Sequence, residues 1–254
     1  MGVWQLRTRA ISLYFYKTMY LDVIGHLHTC YGEKFAAPRQ PGIVEEAWGE
    51  LTFEPAFRNI DSLRGLEGFS HLWLIFAFHH NAQSHWKALV RPPRLGGNQK
   101  VGVFASRSPF RPNPIGMSCV KLDSIDLKHP DSPVLKLSGV DLVDGTPILD
   151  IKPYLPYSDS LPHALGGFAK QTPSKLKVTW HEASNPQKLP PQLHRLIEAT
   201  LAADPRPAYQ QELEDPERQY GCLIEGYNVR WIVKEKIVII LSIKNPQPNG
   251  KPSS

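Results

Sequence analysis

The sequence predicts a mainly β protein: an N-terminal β-barrel without a Rossmann nucleotide fold, followed by a small α+β C-terminal domain. Three observations predict it. Short segments rich in β-branched and aromatic residues recur from residue 20 to residue 154, each bounded by Gly, Pro, Asn or Asp. No G-x-G-x-x-G follows a first strand, so the phosphate-cradling turn of a dinucleotide fold is missing. The 24 prolines in 254 residues are about double ordinary usage, which favours strands and ordered loops over a helical bundle.

The expected strands, in order, are Tyr20–His28, Gly49–Phe53, Ser70–Phe78, Lys100–Phe104, Ser118–Ile125, Val134–Leu142 and Pro147–Tyr154. Their spacing fits a closed or nearly closed barrel rather than βαβ units. Asp61–Gly65 is expected to hold a helical turn. Leu72-Trp-Leu-Ile-Phe-Ala-Phe78 reads as a buried strand and is far too short to span a membrane. Trp73 is expected in the core.

After Tyr157 the character changes. Ser158–Ser174 reads as a linker, and Lys175–Glu182 alternates as a strand. Gln192–Ala203 puts Leu193, Leu196, Ile197 and Leu201 on one helical face, opened by Pro190-Pro191 and stopped by Asp204-Pro-Arg-Pro207. Tyr220–Ile224, Tyr227–Val233 and Lys236–Ile243 read as an antiparallel meander. The expected organisation is a leader (1–18), a barrel domain (19–160), the C-terminal domain (161–244) and a polar, Pro-rich disordered tail (245–254). The leader carries Arg7, Arg9 and Lys17 but no acid, and its apolar stretch is too short and broken for a secretory signal. It reads as a non-native extension ahead of a start at Met19.

The formal charge of +5 is modest, but its distribution is not. Between Gly68 and Leu122 there is no Asp or Glu, while Lys87, Arg91, Arg94, Lys100, Arg107, Arg111 and Lys121 fall inside the window. So one-sided a stretch creates a local positive field. It includes Gly102-Val-Phe-Ala-Ser-Arg-Ser-Pro-Phe-Arg-Pro-Asn-Pro-Ile-Gly-Met117, where prolines stiffen a loop that holds arginines toward solvent. An anionic partner is expected, and RNA is the favoured one. Cys30, Cys119 and Cys222 are odd in number and far apart, with no C-x-x-C, which argues against a disulfide scaffold or zinc ribbon and fits a reducing, cytoplasmic setting. His79, His80 and His85 lack a Cys or carboxylate at ligand spacing, so no metal is expected. His26, His28 and Cys30 alternate on one strand face and read as an ordinary half-exposed face.

Several blocks, taken in order, resemble the TrmO family, also called TsaA-like or YaeB-like. They are Glu33-Lys-Phe-Ala-Ala-Pro-Arg-Gln-Pro-Gly42, Arg64-Gly-Leu-Glu-Gly-Phe-Ser-His-Leu-Trp73, Phe78-His-His80, Val90-Arg-Pro-Pro-Arg-Leu-Gly-Gly97, the Gly102–Met117 loop, Asp141-Leu-Val-Asp-Gly-Thr-Pro-Ile-Leu-Asp-Ile-Lys-Pro-Tyr-Leu-Pro-Tyr157 and Asp204-Pro-Arg-Pro-Ala-Tyr209. The resemblance implies an S-adenosylmethionine-dependent tRNA methyltransferase acting on the threonylcarbamoyl-adenosine beside the anticodon. It also implies a homodimer whose partner helps close the site.

On that resemblance Pro38, Arg39 and Gln40 hold the methionine end of the cofactor, although such a stretch is often a mere surface turn. His79 and His80 border the site, with His80 standing where the family commonly has Gln. Arg107 is assigned to the cofactor, and Arg111 to RNA phosphate or the cofactor carboxylate, unless one of them only fastens the loop. Ile115, Gly116 and Met117 are expected against the adenosyl group, with Gly116 permitting close approach. Asp144, Gly145, Thr146 and Pro147 form a tight turn carrying further cofactor contacts.

Ile148, Asp150 and Lys152 are expected on one strand face, with Tyr154 continuing it. Asp150 is the candidate general base, assisted by Lys152 or Tyr154. The RNA set is Arg91, Arg94, Arg111, Lys152 and Arg206, with Arg206 reaching either RNA or the second subunit. Trp73, Trp86 and Tyr157 are candidate stacking partners. Two other readings stay open at this point: a non-catalytic RNA- or nucleotide-binding barrel, and a small-molecule methyltransferase.

Overall fold

The computed structural model describes residues 20–81, 85–184, 186–211 and 215–245. The leader, and the tail beyond residue 245, lie outside the described residues. The first eight strands are β1 (Gly25–Thr29), β2 (Trp48–Phe53), β3 (His71–Ala77), β4 (Leu89–Val90), β5 (Val101–Gly102), β6 (Ile115–Asp126), β7 (Val134–Ser138) and β8 (Thr146–Pro153). Six of them close an antiparallel barrel in the order β1-β2-β7-β6-β3-β8.

Several expected strands shrink. The first begins only at Gly25, and Lys100–Phe104 is reduced to β5, which pairs with β4 outside the barrel before a 3-10 turn at Val103–Ala105. Conversely β6 starts earlier than expected, so Ile115, Gly116 and Met117 are strand residues rather than loop.

Alternation explains the closure. Leu27, Leu51, Leu72, Leu74, Leu135, Leu137 and Ile148 point inward and are fully buried. A barrel this narrow is filled by its own side chains and leaves no room for a ligand. One irregularity matters. Ile75 pairs with Asp150 but Phe76 pairs with Ile148, so Leu149 is an extra residue in β8. That bulge flips the alternation: Ile148 goes into the core while Asp150 and Lys152 stand on the outer face. The expectation that all three share a face is therefore corrected. Trp73 is likewise on the outer face, half-buried, its indole N–H donating to Asp159 at 3.0 Å.

The C-terminal sheet runs β10-β11-β12-β9, formed by β9 (Lys177–Trp180), β10 (Tyr220–Ile224), β11 (Tyr227–Lys234) and β12 (Ile237–Lys244). The last three make the expected antiparallel meander, and β9 joins β12 in parallel. A parallel neighbour needs a long crossover, which here includes helix α1 (Pro191–Ala202). The buried face of α1 is the expected one: Leu193, Leu196, Ile197 and Leu201.

One continuous apolar core joins barrel and C-terminal unit. The seam is the chain from Cys30 to Trp48. Tyr31 and Thr200 share a buried hydrogen bond of 3.1 Å. The Phe35 ring lies 6.0 Å from that of Trp231. The Cys30 carbonyl accepts from Glu225 N at 2.9 Å, Glu33 accepts from Leu223 N at 2.9 Å, and the Trp48 indole donates to the Glu225 carboxylate. Burial pushes the Cys30 thiol up to about 12 and the Cys222 thiol further, so both are packing groups and not nucleophiles. Among the described residues no helix is long and apolar enough to cross a membrane.

Gly116 shows how tight the barrel is. A Cβ built there would lie 2.2 Å from the Phe76 ring. The space that glycine leaves is filled by Phe76. Gly116→Ala is expected to destabilise the fold by about 1–3 kcal/mol, the usual range for overpacking. Urea unfolding checks this, and Phe76→Leu in the same chain should restore much of the loss.

Candidate active site

One end of the barrel gathers most of the residues singled out in the sequence. The Pro38–Gln40 loop and the Gly102–Met117 loop meet there. Arg107 Nη1 donates to Gln40 Oε1 at 2.6 Å, and the Gln40 amide N–H in turn donates to the Arg39 carbonyl. An arginine fork held by an amide presents fixed donors to a planar anion such as a carboxylate. Arg111 has a different task. Its Nη1 donates to the carbonyls of Ser106 at 2.7 Å and Val103 at 3.1 Å, with the guanidinium 5.6 Å from the centre of the Phe104 ring. It fastens the loop that carries Arg107.

The Asp144 turn closes beside this loop pair. Gly145 has φ +75°, a left-handed geometry that only glycine adopts freely, and Thr146 N returns to the Val143 carbonyl at 3.2 Å. Asp144 Oδ1 accepts from Thr29 N at 2.9 Å and lies 3.4 Å from His28 Nδ1. His79 follows β3 and contacts His80, with ring centres 4.0 Å apart. Partial burial, with the neighbouring charges of His80, Lys34 and His26, lowers the His79 pKa, which favours the neutral imidazole.

A carboxylate that the sequence reading left unassigned completes this end. Asp141 accepts from the buried Ser118 hydroxyl at 2.6 Å. Burial pushes its carboxyl up to about 6, against the opposing pull of Ser118, its own backbone N–H and the Arg107 charge. Arg107 and two carboxylates thus share one rim. S-adenosylmethionine has an anionic carboxylate, a cationic ammonium and a sulfonium, and so needs groups of both signs. The residues present fit it. Arg107 and Gln40 suit the carboxylate, Asp141 and Asp144 suit the cations, and among the described residues no atom beyond its chain neighbours lies within 4 Å of where a Gly145 Cβ would stand.

Asp150, Lys152 and Tyr154 form a second group on the outer face of β8. Lys152 Nζ is 2.8 Å from Asp150 Oδ2, and Asp150 Oδ1 accepts from Ile151 N at 2.9 Å. The Tyr154 ring is packed by His71 and Trp73, at 6.2 and 6.0 Å. Across β3, the register places Ile75 between Asp150 and Met117. Ile115 and Met117 are exposed on this same surface. Pro147 flanks it, paired with His26.

Arg91, Arg94 and Lys100 of the acid-free window are all solvent-exposed. Lys121 is exposed too, but Asp123 pairs with it at 2.9 Å. Arg206 departs from expectation. It is 7% exposed and doubly bonded to Asp204, so its guanidinium is buried and not presented to RNA. Trp86 and Tyr157 are exposed; Trp73 is only half so.

Comparison with known proteins bears on this assembly directly. The family model described as the tRNA-methyltransferase O N-terminal domain matches residues 26–160, and the TrmO C-terminal domain matches residues 173–246. The chain belongs to the TrmO family. It is 48% identical over 220 residues to the Escherichia coli K12 protein named tRNA (adenine(37)-N6)-methyltransferase, covering 84% of this chain and 93% of that one. It is 44% identical over 214 residues to a Pseudomonas aeruginosa protein provisionally named S-adenosylmethionine-dependent methyltransferase RcsF, covering 82% and 90%. The crystal structure of TrmO from Pseudomonas aeruginosa superposes with a TM-score of 0.73 at 36% identity, covering 90% of this chain and 99% of that one.

Asp141 and Ser118 were the main omission in reading this TrmO chain from sequence. Asp141 opens a block that carries the family resemblance, but only the fold shows that its carboxylate turns toward β6 and Arg107. Because the folded chain holds the Asp141 proton more tightly than the ordinary 3.8, the carboxylate lowers stability as pH rises through roughly 4 to 6. Asp141→Asn should therefore be more stable than the parent at pH 7.5 by about 2 kcal/mol, with the difference vanishing below about pH 4. Urea melts across that range check it; equal stability at pH 7.5 would mean that Ser118 and Arg107 already offset the burial.

Proposed function

We propose that this TrmO chain transfers a methyl group from S-adenosylmethionine to N6 of the threonylcarbamoyl-adenosine beside the anticodon of tRNA. The observation that carries the reading is the Gln40–Arg107 pair, opposite in sign to Asp141 and Asp144 on the same rim, in a chain that matches TrmO along most of its length. When bound, S-adenosylmethionine supplies an electrophilic methyl on its sulfonium. Arg107 and Gln40 hold its carboxylate and thereby fix the direction from which the acceptor nitrogen must approach. Much of the acceleration comes from that alignment.

The acceptor nitrogen bears a carbamoyl group, so its lone pair is delocalised while its proton is unusually acidic. A positioned base helps such a nucleophile more than it helps a plain amine. Asp150 accepts that proton. Lys152, 2.8 Å away, orients the carboxylate and stands ready for the carboxylate of the substrate's threonyl group. Tyr154, packed between His71 and Trp73, borders the same surface.

The RNA backbone lies along Arg91, Arg94 and Lys100, whose exposed charges no acid in their own stretch of chain offsets. An anticodon loop suits this arrangement because its bases can be splayed out of the stack. The outer face of β6 and β3 leaves Ile115 and Met117 exposed beside half-buried Trp73 and Ile75. A second copy of the chain covers that face and helps close the site. The working compartment is the cytoplasm.

Incubation with labelled S-adenosylmethionine and total tRNA from cells lacking the enzyme tests the reaction; label confined to small anions, or binding without transfer, overturns it. Asp150→Asn should lower turnover by about a hundredfold or more while binding cofactor and tRNA normally. Affinity for tRNA should drop more than about tenfold between roughly 50 and 200 mM salt, as expected for a few phosphate contacts. Filter binding measures this, and a salt-independent affinity would remove the cationic strip from the interface.

A further inference from the structure

The cofactor loop is tied to a pair that lies in the C-terminal unit. Asp204 follows α1 with φ +50°. Its carboxylate accepts from Arg206 Nε at 2.7 Å and Nη2 at 2.8 Å, so two nitrogens of the Arg206 fork are held on one carboxylate. The Tyr220 ring, 5.8 Å away, covers the same guanidinium. Held this way, Arg206 points its backbone carbonyl at the barrel, where Arg39 Nη2 donates to it at 2.7 Å. The Arg39 carbonyl is in turn bonded by the Gln40 amide N–H, and Gln40 Oε1 accepts from Arg107. Both ends of the Gln40 amide are thereby committed, and its orientation is fixed.

Charge reinforces the path. Loss of hydration around Arg39 and the nearby Arg94 both lower the Arg39 pKa, while the Asp204 carboxylate opposes them. Asp204 thus acts on the loop twice, through the Arg206 backbone and through space. The chain of contacts runs from the residue that ends α1 to the guanidinium assigned to the cofactor, without a break.

We propose that Asp204 and Arg206 are positioning residues for methyl-donor binding, setting the Arg39–Gln40–Arg107 relay from the C-terminal unit. This rests on reading that relay as the cofactor cradle. The side chains never touch the cofactor; they fix one carbonyl and one field. The C-terminal unit is then part of the cofactor site and not a separate tRNA-binding appendage.

Asp204→Asn is the informative change, because Asn tolerates the left-handed backbone that Asp204 adopts while removing the charge. Binding of S-adenosylhomocysteine to the full chain is measured by calorimetry for the parent, Asp204→Asn, Arg39→Ala and the double variant. Asp204→Asn should weaken binding about tenfold, the scale of one charge-assisted contact, with stoichiometry and tRNA affinity unchanged. In the Arg39→Ala background the same substitution should have no further effect.

Loss of folded protein would instead lower the stoichiometry and leave the dissociation constant where it was. Unchanged affinity in Asp204→Asn, or losses that simply multiply in the double variant, overturns the proposal. Failure of the parent chain to bind overturns the cofactor reading and this proposal with it. If Asp204→Asn does not fold, hydrogen exchange on the parent decides: added S-adenosylhomocysteine should protect amides of residues 204–211 together with those of 38–42. Protection confined to the barrel refutes the coupling.

Discussion

Closure of a six-stranded barrel around its own leucines governs the rest of the molecule. A sheet rolled this tightly has no internal cavity to give to a ligand, so every group with chemistry is pushed onto a rim or an outer face. The rim is where strands end and loops begin. The long connections after β1, β5 and β7 therefore supply Gln40, Arg107 and Asp141, while the strands themselves fix where those loops start. The same packing that stabilises the protein decides that its cofactor must be held from outside.

An external site is hard to keep rigid, and three devices compensate for that. Arg111 ties down the proline-rich loop from within, using two carbonyls of that loop. The Asp144 turn is locked to β1 through Thr29 and Gly145, whose N–H donates to the Leu27 carbonyl at 2.9 Å. The Cys30–Trp48 segment is sandwiched against the C-terminal sheet through Phe35, Tyr31 and Trp48. None of these contacts is catalytic. Together they turn two surface loops into a preorganised receptor, so less ordering entropy remains to be lost on binding.

Most of the strands and the helix face of α1 were legible in the sequence because they depend on local pattern, alternation and a 3.6-residue period, while the loop blocks were legible through the family resemblance. What was not legible depended on pairing over distance. No periodicity rule brings Arg107 to Gln40, 67 residues away. Arg206 looked like a surface cation because nothing local announces that Asp204 doubles back on it across a left-handed turn. Trp73 looked like a core residue because the run around it is apolar on both faces, and only the register of β3 decides which side is which. At Gly116 the volume left by the missing side chain is taken up by Phe76 of the neighbouring strand, a pairing that only the register of β3 and β6 reveals.

The extra residue at Leu149 has a consequence for how this strand can change. Side chains along β8 obey a two-step parity, and the bulge is the single point where that parity is reset. Removing Leu149 would leave Ile148 and Asp150 adjacent, opposite Phe76 and Ile75, so plain alternation would resume with Ile148 inside and Asp150 and Lys152 still outside. Loss of Ile151 from the regular stretch beyond would instead turn the ammonium of Lys152 toward a dry interior that offers it no water. The segment can shorten by one residue at the bulge, but not past it.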